Sequence, residues 1–298
     1  MLAGLATLPI LRCGLSFAIR ALVVGSKSDT EGTLTGEMIA LALEHLGLPV
    51  ERKLGLGPTL IVRSALLAGD VDLYPEYTGN GAFFSGTETD PAWKDAQGAF
   101  DAARRLDAAR GLVWLDRAPA NNTWLIAVQG DLARREGLAT MEDFAGAVRR
   151  GLIRLAASTE FVESPAALPA FEAAYGFHLP ASRIISLPGG DTAVTARAAA
   201  QGISGVNAGM VYGTDGALSA LDLVVMADSR SAQIVYEVAP VVRADTLGRH
   251  PEIRPILARI FASLDAATLR GLNARITVEG EVAVGVARRY LAERGLLG

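Results

Sequence analysis

Short apolar runs and amphipathic stretches take turns along this chain from Ala21 onward, and that alternation limits its fold more than any other feature. The run "ALVVGS" reads as a strand buried on both faces. "TLTGEMIALALEHLG" follows with apolar residues at helical spacing, Leu34, Met38, Leu41 and Ala42, and Gly47 as a stop. "PVERKLG" is a second strand. "PTLIVRSALLAG" is a second helix, with Pro58 suited to its first turn and Gly69 to its end, and "VDLYPEY" is a third strand. Such a βαβαβ succession implies an α/β sheet with right-handed crossovers.

The middle of the chain repeats the logic. "NTWLIAVQ", "LIRLAAS", "RIISL" and "GVNAGMVY" are strands, separated by helices in "TMEDFAGAVRRG" (capped by Thr140), "PAALPAFEAAYG" and "DTAVTARAAAQG" (capped by Asp191 or Thr192). "LVVMAD" and "QIVYEVAPVV" come next, and the tail from Pro251 reads as two or three helices. No low-complexity linker divides the chain. Two α/β lobes joined by extended strands near Asn121–Trp124 and Gln233–Val238 account for that. One lobe comprises residues 21–122 with 235–298, and the other residues 123–234.

Bulk properties exclude several roles. The chain has 298 residues, half of them hydrophobic, so a sizeable core is within reach. Its formal net charge is -4 and no Lys/Arg-rich run occurs, which argues against nucleic acid as a partner. His45, His178, His250 and the lone Cys13 have no metal-ligand spacing, so neither a metal nor another cofactor is expected. Residues 1–20, "MLAGLATLPILRCGLSFAIR", resemble the apolar region of a secretory signal, although a basic start is missing and Arg12 interrupts the run. The expectation is an exported protein. A frayed N-terminal helix is the alternative.

Catalytic signatures are missing: no H-E-x-x-H, G-x-S-x-G or phosphate-binding loop occurs. "PGGDT", Pro188 to Thr192, is either an anion site before a helix or a plain strand-to-helix turn. Glu76, between two tyrosines in "DLYPEYTGNGAFF", is read as a structural hydrogen-bond acceptor rather than a base. Aromatics make up 6% of the chain, yet Tyr77, Trp124, Tyr212 and Tyr236 all fall where a strand leaves a sheet or crosses between lobes. Ligands of open α/β sheets bind beyond the carboxyl ends of strands. Four ring faces meeting there would make a cage for a quaternary ammonium group, which offers no hydrogen bond and is held by ring quadrupoles.

Five stretches in order, "VVGSKSDTEGTLTGEM", "DLYPEYTGNGAFF", "APANNTW", "LPGGDTAVTARAAAQ" and "VYGTDG", resemble the substrate-binding proteins of osmoprotectant ABC importers, which bind glycine betaine, choline, carnitine or proline betaine. The resemblance runs from about Val23 to the C-terminus and points to the low-affinity glycine-betaine-binding branch. It implies a type II periplasmic binding fold of two α/β lobes, a periplasmic monomer without cofactor, a small quaternary ammonium ligand and an inner-membrane ABC permease as partner. It also implies ligand-binding roles. Lys27 would hold a ligand carboxylate, and Tyr77, Trp124, Tyr212 and Tyr236 would form the aromatic box. Asn80 and Asn122 would supply polar contacts, Gly79 and Gly81 a turn close to the ligand, and Phe83 and Phe84 packing within the lobe. Where relatives carry an arginine that clamps the carboxylate, this chain has Ser164, which cannot reproduce a bidentate contact. Two rival roles keep the same architecture: an enzyme with Glu76 or Lys27 as reactive group, and a sensor docking on a signalling receptor.

Overall fold

A computed structural model describes residues 20–188 and 192–297. The N-terminal segment, with Cys13, and the Gly189–Asp191 part of "PGGDT" lie outside the described residues. Among the described residues ten strands form two five-stranded mixed sheets. The first contains β1 (Leu22–Gly25), β2 (Val50–Lys53), β3 (Leu73–Tyr77), β4 (Leu112–Trp114) and β10 (Val238–Arg243), in the order β2-β1-β3-β10-β4. The second contains β5 (Trp124–Gln129), β6 (Leu155–Ser158), β7 (Ile184–Leu187), β8 (Ala208–Tyr212) and β9 (Leu223–Val225), in the order β7-β6-β8-β5-β9. Each sheet is the centre of one α/β lobe, giving a two-lobed architecture.

In each sheet a parallel trio is joined by one strand running the other way and by a fifth running with the trio. β1 pairs in parallel with β2 and β3, and β6 with β7 and β8. β10 is antiparallel to β3 and β4, and β5 to β8 and β9. The antiparallel strands are those the chain enters on passing from one sheet to the other. The two passages lie side by side: Asn122 N donates to Tyr236 O at 2.9 Å, Tyr236 N to Asn121 Oδ1 at 2.8 Å, and Thr123 Oγ1 to Ile234 O at 2.7 Å.

Local chemistry explains the elements. Helix Thr30–His45 starts because Asp29 accepts from Gly32 N at 2.7 Å, and it buries Leu34, Met38, Leu41 and Ala42. Helix Thr59–Ala68 stops at Gly69, whose φ of 85° suits glycine. Thr140 and Asp143 form a reciprocal capping box on helix Met141–Arg149. The tail forms three helices, Ile253–Ala262, Ala266–Thr277 and Ala283–Glu293. The last packs on Thr30–His45, so Val286, Ala287 and Leu291 join the core of β1 and β3.

Two parts differ from expectation. Residues 85–120, which the apolar pattern leaves blank, hold helix Ala96–Ala108 and β4, with Trp93 and Trp114 buried. A proline commonly marks the end of a strand, so the sequence puts Pro75 and Glu76 at the exit from the sheet, but both lie inside β3. The β1–β3 ladder ends at Leu73, and Pro75 sits opposite Pro240 of β10, so neither ring interrupts the pairing.

Candidate functional site

Strand register brings the aromatic residues together in two pairs. Trp124 opens β5 and lies directly opposite Tyr212, which ends β8. Directly opposed residues share one face of a sheet, so their rings are neighbours. Phe161 braces Trp124 edge-on, with ring centroids 6.1 Å apart. In the first sheet Tyr77 ends β3 opposite Val238, and Tyr236 stands two residues before that partner. A Cβ on Gly79 would lie 2.7 Å from the Tyr236 ring. Only glycine lets that ring rest on the turn after β3. Gly81 likewise makes room for Trp93, so these glycines accommodate rings of the protein itself rather than a ligand.

These pairs line one cleft of about 1300 Å³. All seven residues singled out in the sequence, Lys27, Tyr77, Asn80, Asn122, Trp124, Tyr212 and Tyr236, are on its walls. The glycine-rich turn expected around Asn80 is the start of helix Asn80–Ser85, so Asn80 sits on the helix and Phe83 and Phe84 also reach the cleft. That corrects their reading as packing residues: Phe83 is 44% exposed, and the Phe84 ring lies 3.9 Å from the Arg63 guanidinium.

The polar groups are committed to one another. Lys27 Nζ donates to Glu76 Oε1 at 2.8 Å and stands 4.3 Å from the centre of the Tyr77 ring. Glu76, fully buried, also accepts from the Tyr74 hydroxyl at 2.6 Å and from Asn80 Nδ2 and its neighbour's backbone, Tyr77 N, at 2.7 Å each. Glu76 is therefore a structural acceptor. Arg63, the next cation on the wall, is paired with buried Asp107, which also accepts from Trp114 Nε1 at 2.8 Å. Arg110, a third lining cation, stands 3.9 Å from the same carboxylate. Among the described residues the acids on the wall are Asp29, Glu31, Glu160 and Asp215. The cations are thus countered by carboxylates behind the wall, and the cleft carries an excess of negative charge.

Glu31 is the acid that sequence reasoning passed over. Its carboxylate accepts from the Tyr77 hydroxyl and from Asn273 Nδ2, each at 2.8 Å, and from Asn122 Nδ2 at 3.5 Å. Burial pushes its pKa from 4.5 up to about 7, against hydrogen bonds from Thr214, Tyr77 and Asn273 that favour the charged form. Burial also raises the Tyr77, Tyr212 and Tyr236 phenols, so all three present neutral rings.

Residues 20–293 match the family described as the substrate-binding domain of ABC-type glycine betaine transport systems. The chain belongs to this family. It is 51% identical over 274 residues to the glycine betaine-binding protein YehZ of Escherichia coli, covering 91% of this chain and 90% of that one. It is 32% identical over 283 residues to a glycine-betaine-binding protein of Pseudomonas aeruginosa, covering 92% and 88%. The solved structure of apo YehZ superimposes with a TM-score of 0.82 at 50% identity, over 93% of this chain and 99% of that one, so the fold is the two-lobed α/β architecture of periplasmic binding proteins.

Against the family pattern, Ser164 stands away from the cleft lining. It follows helix Thr159–Glu163, donating from its backbone N to Glu160 O at 2.8 Å and accepting from Ala166 N at 3.4 Å. The residue of this segment that does line the cleft is Glu160, an acid. Helix Thr192–Gln201 contributes Thr192 and Ala193 to the wall, next to the residues that lie outside the described part of "PGGDT". Among the residues the sequence pattern missed, Glu31 alone left a trace, as the second acid in "SKSDTEG" where a helix begins. Thr214 lies in the quoted "VYGTDG" without standing out there, and Asn273 left no trace, because both roles depend on contacts between distant segments.

Proposed function

We propose that this protein is the exported solute-binding component of an ABC importer. It captures a small quaternary ammonium osmoprotectant, such as glycine betaine or choline, and delivers it to a permease in the inner membrane. The observation that carries this reading is the meeting of Trp124 and Tyr212 of the second sheet with Tyr77 and Tyr236 of the first on one cleft. A quaternary ammonium offers no hydrogen bond, and ring faces can hold it where water cannot compete, at ~0.5–2 kcal/mol per face. The excess of acids on the cleft wall supports a cation further.

Each sheet supplies one ring pair, so only an arrangement with both pairs close to the ligand makes every contact. Ligand therefore biases an equilibrium between separated and apposed lobes, and the apposed form is what the permease receives. Among the described residues no helix is long and apolar enough to cross a membrane, as suits a protein acting in the periplasm. The protein acts as a monomer, Lys27 and Asn80 organise the wall through Glu76, and no covalent step is required.

A calorimetric panel of glycine betaine, choline, carnitine, proline betaine and proline tests the reading. One-to-one binding of at least one quaternary amine, with proline much weaker, is the expected result. No binding of any of the quaternary amines would overturn it.

A further inference from the structure

We infer that Glu31 is a positioning residue that ties the aromatic cage to the approach of the two lobes, and that a quaternary ammonium ligand binds the form in which Glu31 has released its proton to solvent. This rests on the functional reading above and adds a residue and a proton to it.

The geometry comes first. Glu31 Oε1 holds the hydroxyl of Tyr77, a wall of the cage on the first sheet. Oε2 holds Asn273 of helix Ala266–Thr277. The Thr214 side chain, on the loop that follows β8 of the second sheet, favours the charged form of the same carboxylate. That loop is pressed onto the helix: Arg270 Nε donates to Gly213 O at 2.7 Å, Asn273 Nδ2 to Thr214 O at 2.9 Å, and a Cβ on Gly216 would lie 2.4 Å from Ala274 N. One carboxylate thus joins a cage ring of one sheet to the loop beside Tyr212 of the other.

Every one of these partners donates, so the arrangement favours an ionised Glu31. A protonated carboxyl would need an acceptor, and one is at hand. Asn273 Oδ1 is buried without a hydrogen-bond partner, on an amide already touching Oε2. Turning that amide would offer its oxygen to the carboxyl proton, while giving up its bond to Oε2 and the one to Thr214 O. Protonation therefore loosens the tie between Tyr77, helix Ala266–Thr277 and the loop after β8.

Charged groups around Glu31 set the balance. On the elements that meet at Glu31 the charged or titratable groups include Lys27 and Asp29 before its helix, Tyr77 at the end of β3, Asp215 on the loop after β8, and Arg270 and Arg275 on helix Ala266–Thr277. Lys27 is held by Glu76, Arg275 by Glu281, and Arg270 by a backbone carbonyl, while Asp29 opposes the charge on Glu31. With burial the dominant influence, Glu31 titrates at about 7. A cation in the cage favours the carboxylate and draws the proton off. Among the described residues no histidine lines the cleft, and neither choline nor glycine betaine exchanges a proton near neutrality, so proton release reports on Glu31.

Choline and glycine betaine are titrated into the wild-type protein at pH 6 and pH 8, in buffers of different ionisation enthalpy. With a midpoint of about 7, binding at pH 6 should release close to one proton, and affinity should be about tenfold higher at pH 8 than at pH 6. Glu31→Gln should abolish both effects. Thr214→Val, which removes a donor that favours the carboxylate, should move the midpoint upward, and it serves if Glu31→Gln does not fold. Binding of either ligand with buffer-independent heat and pH-independent affinity overturns this inference alone. No binding of either ligand at either pH overturns the functional reading and the inference together.

Discussion

Replacing Lys27 by Met should unfold the wall of the cleft rather than merely weaken a ligand contact. Lys27 and Glu76 are 2.8 Å apart, with 9% and 0% of their side chains exposed. At an effective dielectric constant of about 20, two unit charges at that distance attract by ~6 kcal/mol. Desolvation of both ions offsets much of this, but removing only one partner leaves the other buried and uncompensated. Such changes typically cost ~3–5 kcal/mol. Glu76 would keep Tyr74, Asn80 and the Tyr77 backbone as donors, which places the expected loss near the lower end, ~3 kcal/mol. The double variant Lys27→Met/Glu76→Gln removes both charges and should recover ~2 kcal/mol of that loss. Urea denaturation of the wild type, both single variants and the double variant measures the coupling. The double variant should also bind choline within a few fold of wild type, because the Lys27 charge is already committed to Glu76. A Lys27→Met loss under ~1 kcal/mol, or a double variant no more stable than that single one, would refute the reasoning.

Other perturbations report on separate parts of the site. Trp124→Ala removes a ring face and should weaken binding of the preferred quaternary amine by ~10-fold or more, as read by calorimetry. Gly79→Ala has no backbone obstacle at φ −62°, but its methyl group meets the Tyr236 ring. It should cost ~1–3 kcal/mol in a denaturant titration and weaken ligand binding as well. For pH, the folded-state pKa of Glu31 lies above its ordinary value, so the folded protein binds the proton more tightly than the unfolded chain between 4.5 and about 7. Its contribution to stability is therefore greatest at or below pH 4.5, falls by ~3 kcal/mol as pH rises through about 7, and is constant above. Subtracting the pH profile of Glu31→Gln from that of wild type, without ligand, should reveal that fall. A flat difference would contradict it.

Much of this architecture was legible in the chain. Apolar runs such as "ALVVGS" and "LIRLAAS" form strands because both of their faces are covered, and helix limits at Asp29, Gly69 and Thr140 follow from local capping chemistry. Residues 85–120 were not legible: β4 has three residues, too few for a period, and Trp114 is placed by a buried acid from another element. The same contrast holds in the cleft. Tyr77, Trp124, Tyr212 and Tyr236 advertise themselves at strand ends. Pairing of Lys27 with Glu76, exposure of Phe83 and the gathering of Tyr77, Thr214 and Asn273 on Glu31 arise only when remote segments meet.

The central claim is that ring faces hold a positive charge between the two sheets. Its most direct test compares choline with 3,3-dimethylbutan-1-ol, which has the same shape but carbon in place of the charged nitrogen. Calorimetry on the wild-type protein should find choline at least ~10-fold tighter, as expected if two or more rings contribute. Equal affinity for the two would mean that the cleft reads shape alone, and would contradict the account.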